Sequence, residues 1–225
     1  MAKEKVMSSV PKRLFTEQEY LEIERKADFK SEFFRGEIFR MQGATREHVI
    51  ISVNLVGGLH QFLRGRPCEV YQADMRLKVQ TSGLYTYPDL MVTCEKPEFA
   101  SGEFDNFLNP QVIVEVLSAS TERYDRTFKL DRYQELPSLK SYLLVSQHEP
   151  RVEQYARSEG GEWIYSSVHQ RDGSMMISCL DYELKLDEVY ARIDFDEDRP
   201  TGPRLVQEAS QQYILPRPRL QTGVV

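Results

Sequence analysis

The sequence predicts an α/β domain with a mixed central β-sheet flanked by helices and extra β-hairpins. Three observations predict it. Apolar residues recur at three- and four-residue spacing between His48 and Leu63, as in a mostly buried helix. Short β-rich runs are separated by turn signals at Thr81-Ser82-Gly83 and Ser158-Glu159-Gly160-Gly161. The most apolar run, Val112 to Leu117, suits a central strand and is followed by a second helical pattern.

In chain order, Thr16-Glu17-Gln18-Glu19 reads as a capping box, and Phe15 stapled onto Tyr20 sets the entry of a helix reaching about Lys26. Glu32 to Met41 predicts two short strands about Gly36. In the 48–63 helix, Val49, Val53, Val56, Leu59 and Leu63 form the apolar stripe, widened by Ile50, Leu55 and Phe62. Cys68 to Val79 and Tyr85 to Cys94 read as strands about the 81–83 turn. Residues 95–110, acidic and carrying Pro97, Gly102 and Pro110, read as a surface loop. Beyond the Val112 strand, Thr121 is expected to cap a helix running to Leu136 and closed by Pro137. A strand over 141–146 and a hairpin of Arg151–Arg157 with Glu162–Gln170 complete the pattern. Residues 1–13 and the proline-rich 197–225 read as flexible ends, leaving one domain over 14–196.

Composition closes several doors. The 225 residues are 40% hydrophobic, enough for a core. No run approaches the ~20 apolar residues of a membrane span, and no apolar stretch after Lys3 and Lys5 makes a signal peptide. A cytoplasmic protein with no membrane partner is expected. With 29 Lys+Arg against 35 Asp+Glu the net charge is −6, so any nucleic-acid contact needs a local basic patch. Cys68, Cys94 and Cys179 are far apart and odd in number, and the four histidines show no ligand-pair spacing. Neither zinc nor a disulfide framework is expected.

Glu115 is the oddest residue, a carboxylate between Val114 and Val116 in a strand expected to be buried on both faces. It must be ion-paired, protonated or bound to a cation, because desolvating it alone costs several kcal/mol. Asp89 opens the preceding strand as Pro88-Asp89, which is also an ordinary turn position for Asp. Together the two carboxylates and a backbone carbonyl make a hard oxygen site of the kind Mg²⁺ takes. Lys129 enters by geometry. Three residues from Glu115 to the strand end at Ser118 span about 10 Å, and eight from Thr121 to Lys129 span about 12 Å of helix. A helix folding back along the sheet returns Lys129 to the level of Glu115. An exposed Asp125–Lys129 pair is the equal alternative.

These residues carry a resemblance. Pro88-Asp89, then Val114-Glu115-Val116-Leu117-Ser118, then a helix with Asp125, Lys129 and Tyr133, is similar to the PD-(D/E)XK nuclease superfamily. Within it the chain resembles the Uma-type family of bacterial restriction endonucleases. The likeness includes Glu32-Phe33-Phe34-Arg35-Gly36-Glu37, His48 opening the long helix, Asp74 before the Pro-Asp strand, and Ser-Tyr-Leu-Leu-Val at 141–145, and it spans roughly residues 14 to 190. The signature lysine place is Leu117, and Lys129 matches a lysine moved to the following helix.

The resemblance implies a restriction-endonuclease-like core and Mg²⁺- or Mn²⁺-dependent hydrolysis of DNA phosphodiester bonds by a homodimer. It places Asp89, Glu115 and the Val116 carbonyl on the metal, with Lys129 as the catalytic cation. Glu37 follows as an outer carboxylate and Glu32 less so. Asp74 is a further candidate, and His48 is read as structural before catalytic. Arg76, Lys78, Arg64 and Arg66 are candidates for substrate phosphate, with solvated surface as the ordinary alternative. A second expectation, from the vacated place at Leu117, is a nuclease fold that no longer cuts and serves as a binding or assembly module. A third is a phosphohydrolase of small nucleotides, although no phosphate-cradling Gly-rich loop is present.

Overall fold

A computed structural model describes residues 13–100 and 105–195. The expected flexible ends lie outside these residues, except Arg13, which pairs with Glu19 at 2.6 Å. The capping box forms: Thr16 accepts from the Glu19 N–H and the Glu19 carboxylate accepts from the Thr16 N–H, opening α1 (Glu17–Glu24). β1 (Ser31–Phe34) and β2 (Glu37–Arg40) pair antiparallel about Arg35 and Gly36, with φ of 48° and 87°. Two positive φ values match the twist of a tight hairpin, and Gly adopts its share at no steric cost.

α2 (Arg46–Phe62) is capped by Thr45, whose hydroxyl accepts from the His48 N–H at 3.2 Å. It buries Ile51, Leu55 and Leu59, whereas Val49 and Val53, expected in the core, are 49% and 63% exposed. Apolar residues lie all around this helix, so spacing could not choose between stripes; packing does.

Both long strand readings split. Residues 68–79 become β3 (Glu69–Gln72) and β4 (Arg76–Val79); 85–94 become β5 (Leu84–Thr86) and β6 (Leu90–Thr93). The expected surface loop contains β7 (Asn106–Phe107), fully buried alongside β4. β8 (Val112–Leu117), β9 (Ser141–Ser146), β10 (Val152–Arg157) and β11 (Trp163–Val168) follow. One sheet runs β2-β1-β5-β4-β7. The other runs β11-β10-β9-β8-β6-β3, with β8 and β9 parallel. The chain changes sheets between β5 and β6, at Tyr87-Pro88-Asp89.

The second helix is not uniform. It comprises α3 (Glu122–Tyr124), a π turn (Asp125–Lys129) and α4 (Leu130–Tyr133). Thr121 does not cap it through its side chain; the Ser118 hydroxyl accepts from the Thr121 N–H at 3.1 Å instead. The hairpin β12 (Ser174–Ile177) and β13 (Tyr182–Lys185) with α5 (Leu186–Val189) had no sequence expectation. With α2 they cover one face of the six-stranded sheet, through Val112, Val114 and Val116. The other face, through Ile113 and Leu117, packs Tyr133, Leu136, Tyr142 and residues of the five-stranded sheet.

The cysteine expectation is also overturned. Cys68 and Cys94 form a disulfide. β3 pairs with β6 through Glu69 and Thr93, and the same register one residue on sets Cys68 opposite Cys94. Sequence spacing hid this because β4 and β5 intervene. Among the described residues no helix is long and apolar enough to cross a membrane.

Candidate active site

β6 and β8 set two carboxylates side by side. Leu90 pairs with Val114, and the antiparallel register one step on faces Asp89 with Glu115. Strand alternation puts Glu115 on the face of Ile113 and Leu117, away from α2. The helix with the π turn packs over that face and delivers Lys129, whose Nζ donates to Glu115 Oε1 at 3.0 Å. The same ammonium lies 3.1 Å from Asp125 Oδ1 and 3.4 Å from Glu32 Oε1. Both sequence alternatives for Lys129 therefore hold together: it reaches Glu115 and it pairs with Asp125, but buried rather than exposed. Tyr133, one turn later, donates its hydroxyl to Glu115 Oε1 at 2.8 Å. Thr86 donates to Glu32.

Asp89 is held at both oxygens. The Val116 N–H donates to Oδ2 at 2.7 Å, and His48 Nε2 meets Oδ1 at 2.9 Å. His48 thus touches this cluster from the N-terminus of α2, as a hydrogen-bonded partner of Asp89. Val116 meets it through its amide. Asp89 is also the most open acid here, its side chain 17% exposed against 5% for Glu115.

Burial pushes the Glu115 carboxyl up to about 8, with Asp125 and Asp89 adding to the rise and Lys129 opposing it. Asp125 is raised for the same first reason, burial, against the opposing charge of Lys129. Burial alone would neutralise Lys129, but Glu115, Tyr133, Glu32 and Asp125 hold it well above its ordinary value, so it stays an ammonium. For His48 burial again works against charge, and the hydrogen bond and charge of Asp89 outweigh it, raising the imidazole.

Three carboxylates (Glu115, Asp125 and Glu32) thus gather round one ammonium, and a fourth, Asp89, held by His48, faces Glu115 from the adjoining strand. Such a desolvated surplus of negative charge is offset by a cation or a proton. Both donors to Glu115 converge on Oε1, and among the described residues none reaches Oε2. An all-oxygen donor pair with an unclaimed oxygen fits a hard divalent cation.

Other expected residues stand elsewhere. Glu37 shares the hairpin face of Glu32 but lies opposite Phe34, outside the set of acids on Lys129. Asp74 is 77% exposed and pairs with Lys30. Arg76 lies buried away from this cluster, 3% exposed and donating to Asn106 at 2.7 Å, Tyr87 at 3.0 Å and Asp105 at 2.7 Å. Lys78 is spent on Glu17 at 2.9 Å. Arg66 donates to the Leu180 carbonyl at 2.9 Å, and Arg64 is exposed. The sequence underrates Glu32 and gives no signal for the Tyr133 bond to Glu115, whereas the Asp125–Lys129 pair was expected, though as an exposed one. A carboxylate directly before Phe33-Phe34 in an expected strand was the available signal for Glu32.

Comparison with known proteins bears on this arrangement. A sequence model of the family Uma2, described as "Putative restriction endonuclease", matches residues 17–188. Two uncharacterized proteins of Synechocystis sp., slr1290 and sll1609, are 32% identical over 187 residues and 36% identical over 168. The first alignment covers 83% of this chain and 97% of the relative, the second 75% and 95%. A crystal structure from Anabaena variabilis, described as "a putative nuclease belonging to DUF820", shares the fold at a TM-score of 0.64 and 17% identity, covering 77% of this chain and 96% of its own.

Proposed function

The chain belongs to the Uma2 family of restriction-endonuclease type, and on that premise we propose that it is a metal-dependent endonuclease hydrolysing DNA phosphodiester bonds. The observation that carries the reading is Lys129 Nζ at 3.0 Å from Glu115, with Asp89 in the adjoining register place. Leu117, at the usual lysine place, is instead core. The charge that a strand lysine would supply comes from the helix above the same sheet face.

Asp89, Glu115 and the Val116 carbonyl would hold Mg²⁺ or Mn²⁺, which when bound polarises the phosphate and acidifies water. The other roles belong to the chain. Lys129, kept charged by its carboxylates, offsets negative charge growing on the phosphate oxygens. Glu115 orients that ammonium, and Tyr133 fixes which Glu115 oxygen does so. His48 and the Val116 N–H hold the Asp89 carboxylate in one rotamer. Cutting both strands with one such site per chain calls for two copies, hence a homodimer.

The saturation of Lys129 by three carboxylates favours a second reading, a nuclease fold kept as a binding module, since a purely structural ion cluster has this form. Purified full-length protein with supercoiled plasmid and Mg²⁺ or Mn²⁺ separates the two. Under the first reading wild type nicks, and Glu115→Gln and Lys129→Met, folded by circular dichroism, lose about 10²-fold or more; Asp89→Asn also weakens Mn²⁺ binding. No nicking and no Mn²⁺ binding would leave the module.

A further inference from the structure

The helix that carries Lys129 is interrupted where it matters. A π turn holds one residue more than an α turn, so it changes the rotational phase of every side chain after it. Here it spans Asp125–Lys129, and the residues beyond it, through Tyr133, inherit that phase. Such a turn is less favourable than continuous α-helix and persists where an outside group engages its carbonyls. That group is Tyr142. Its hydroxyl donates to the Asp125 carbonyl at 3.1 Å. It comes from β9, paired with Ile113 of β8, and it is fully buried on the Glu115 face. Its ring meets that of Tyr133 edge-on at 5.2 Å and 86°.

Tyr142 therefore touches both sides of the π turn. Its hydroxyl anchors the first residue, and its ring packs on the tyrosine whose own hydroxyl sits on Glu115. Neither contact involves Lys129 itself, yet together they set the angle at which Lys129 leaves the helix. We propose that Tyr142 is a positioning residue that locks the π turn and thereby holds the Lys129 ammonium on Glu115. Only the turnover arm of its test rests on the nuclease reading.

Tyr142→Phe keeps the ring and removes the hydroxyl. Tyr190→Phe is the control: its hydroxyl donates to the Arg151 carbonyl at 2.7 Å and is likewise buried, but it belongs to the core on the opposite sheet face. The first readout needs no activity: acylation of Lys129 by acetic anhydride in full-length protein, followed by peptide mass spectrometry. Lys129 should react about five- to tenfold faster in Tyr142→Phe, the opening gain from losing one buried hydrogen bond, and at the wild-type rate in Tyr190→Phe. The second readout is plasmid nicking, where kcat should fall about tenfold in Tyr142→Phe with KM and Mn²⁺ affinity unchanged. Unchanged labelling in Tyr142→Phe, or equal gains in both variants, overturns the proposal. Faster labelling specific to Tyr142→Phe supports it even if wild type cuts nothing, in which case only the nuclease reading fails.

Discussion

At the residue scale the molecule turns on Glu115. Its ordinary carboxyl value is 4.5 and burial carries it to about 8 in the folded chain. The folded state therefore keeps this proton while the unfolded state releases it. Stability from Glu115 is present in full below about 4.5 and is lost as pH rises through about 8. Glu115→Gln, which cannot ionise, should flatten that loss. Between pH 5 and pH 9 its melting temperature should fall less than wild type's by roughly 10 °C, the effect of about 4 kcal/mol in a domain of this size. Parallel melting curves against pH would mean that Glu115 is charged throughout and that Lys129 alone balances it. Asp89 lay open to reading from sequence because a Pro-Asp step just before an apolar strand is a local signal. Its bond to His48 was not, since 41 residues separate them.

Among the elements, the β1–β2 hairpin shows how local chemistry supports a distant site. β1 carries Glu32 to Lys129, and its turn depends on Gly36. At φ of 87° an added Cβ there would also come within 2.8 Å of the Leu14 Cβ. Gly36→Ala should cost about 1–2 kcal/mol from the left-handed backbone alone. Gly43→Ala, with nothing within 4 Å of its Cβ, should cost little. Urea denaturation of the two variants measures the difference, and equal midpoints would show that the turn relaxes. The capping box of α1 was legible because both halves lie within four residues. Only half of the α2 cap is written in sequence: Thr45 is present, but His48 occupies the place where a Glu would complete the box.

For the whole molecule, the Cys68–Cys94 disulfide ties edge strand β3 to β6, the strand that begins beside Asp89. Reducing it should lower stability by about 3 kcal/mol, a drop of roughly 10 °C in melting temperature, and Cys68→Ser should melt alike with or without reductant. Thiol counting in denatured, unreduced protein should find Cys179 alone reactive, as the free cysteine of the described chain. Three reactive thiols would show that the pair is reduced as isolated. The net charge of −6 leaves the search for a basic DNA-facing patch open. Arg76 already donates to Asn106, Tyr87 and Asp105, and Lys78 pairs with Glu17 at the surface.

The chain's own order of residues determined the local elements, the helix caps and turns written within a few positions, and a carboxylate in the central strand with a lysine one helix length away. Those follow from rise per residue and side-chain period, which any stretch of sequence carries. Tertiary structure alone decided which stripe of α2 is buried, that β3 and β6 meet so that Cys68 faces Cys94, and that Glu32 rather than Glu37 joins Lys129. It also decided that a π turn held by Tyr142 sets the lysine's angle. Each of these depends on register between segments far apart in the chain, and that register is chosen by packing the core, not by any local pattern.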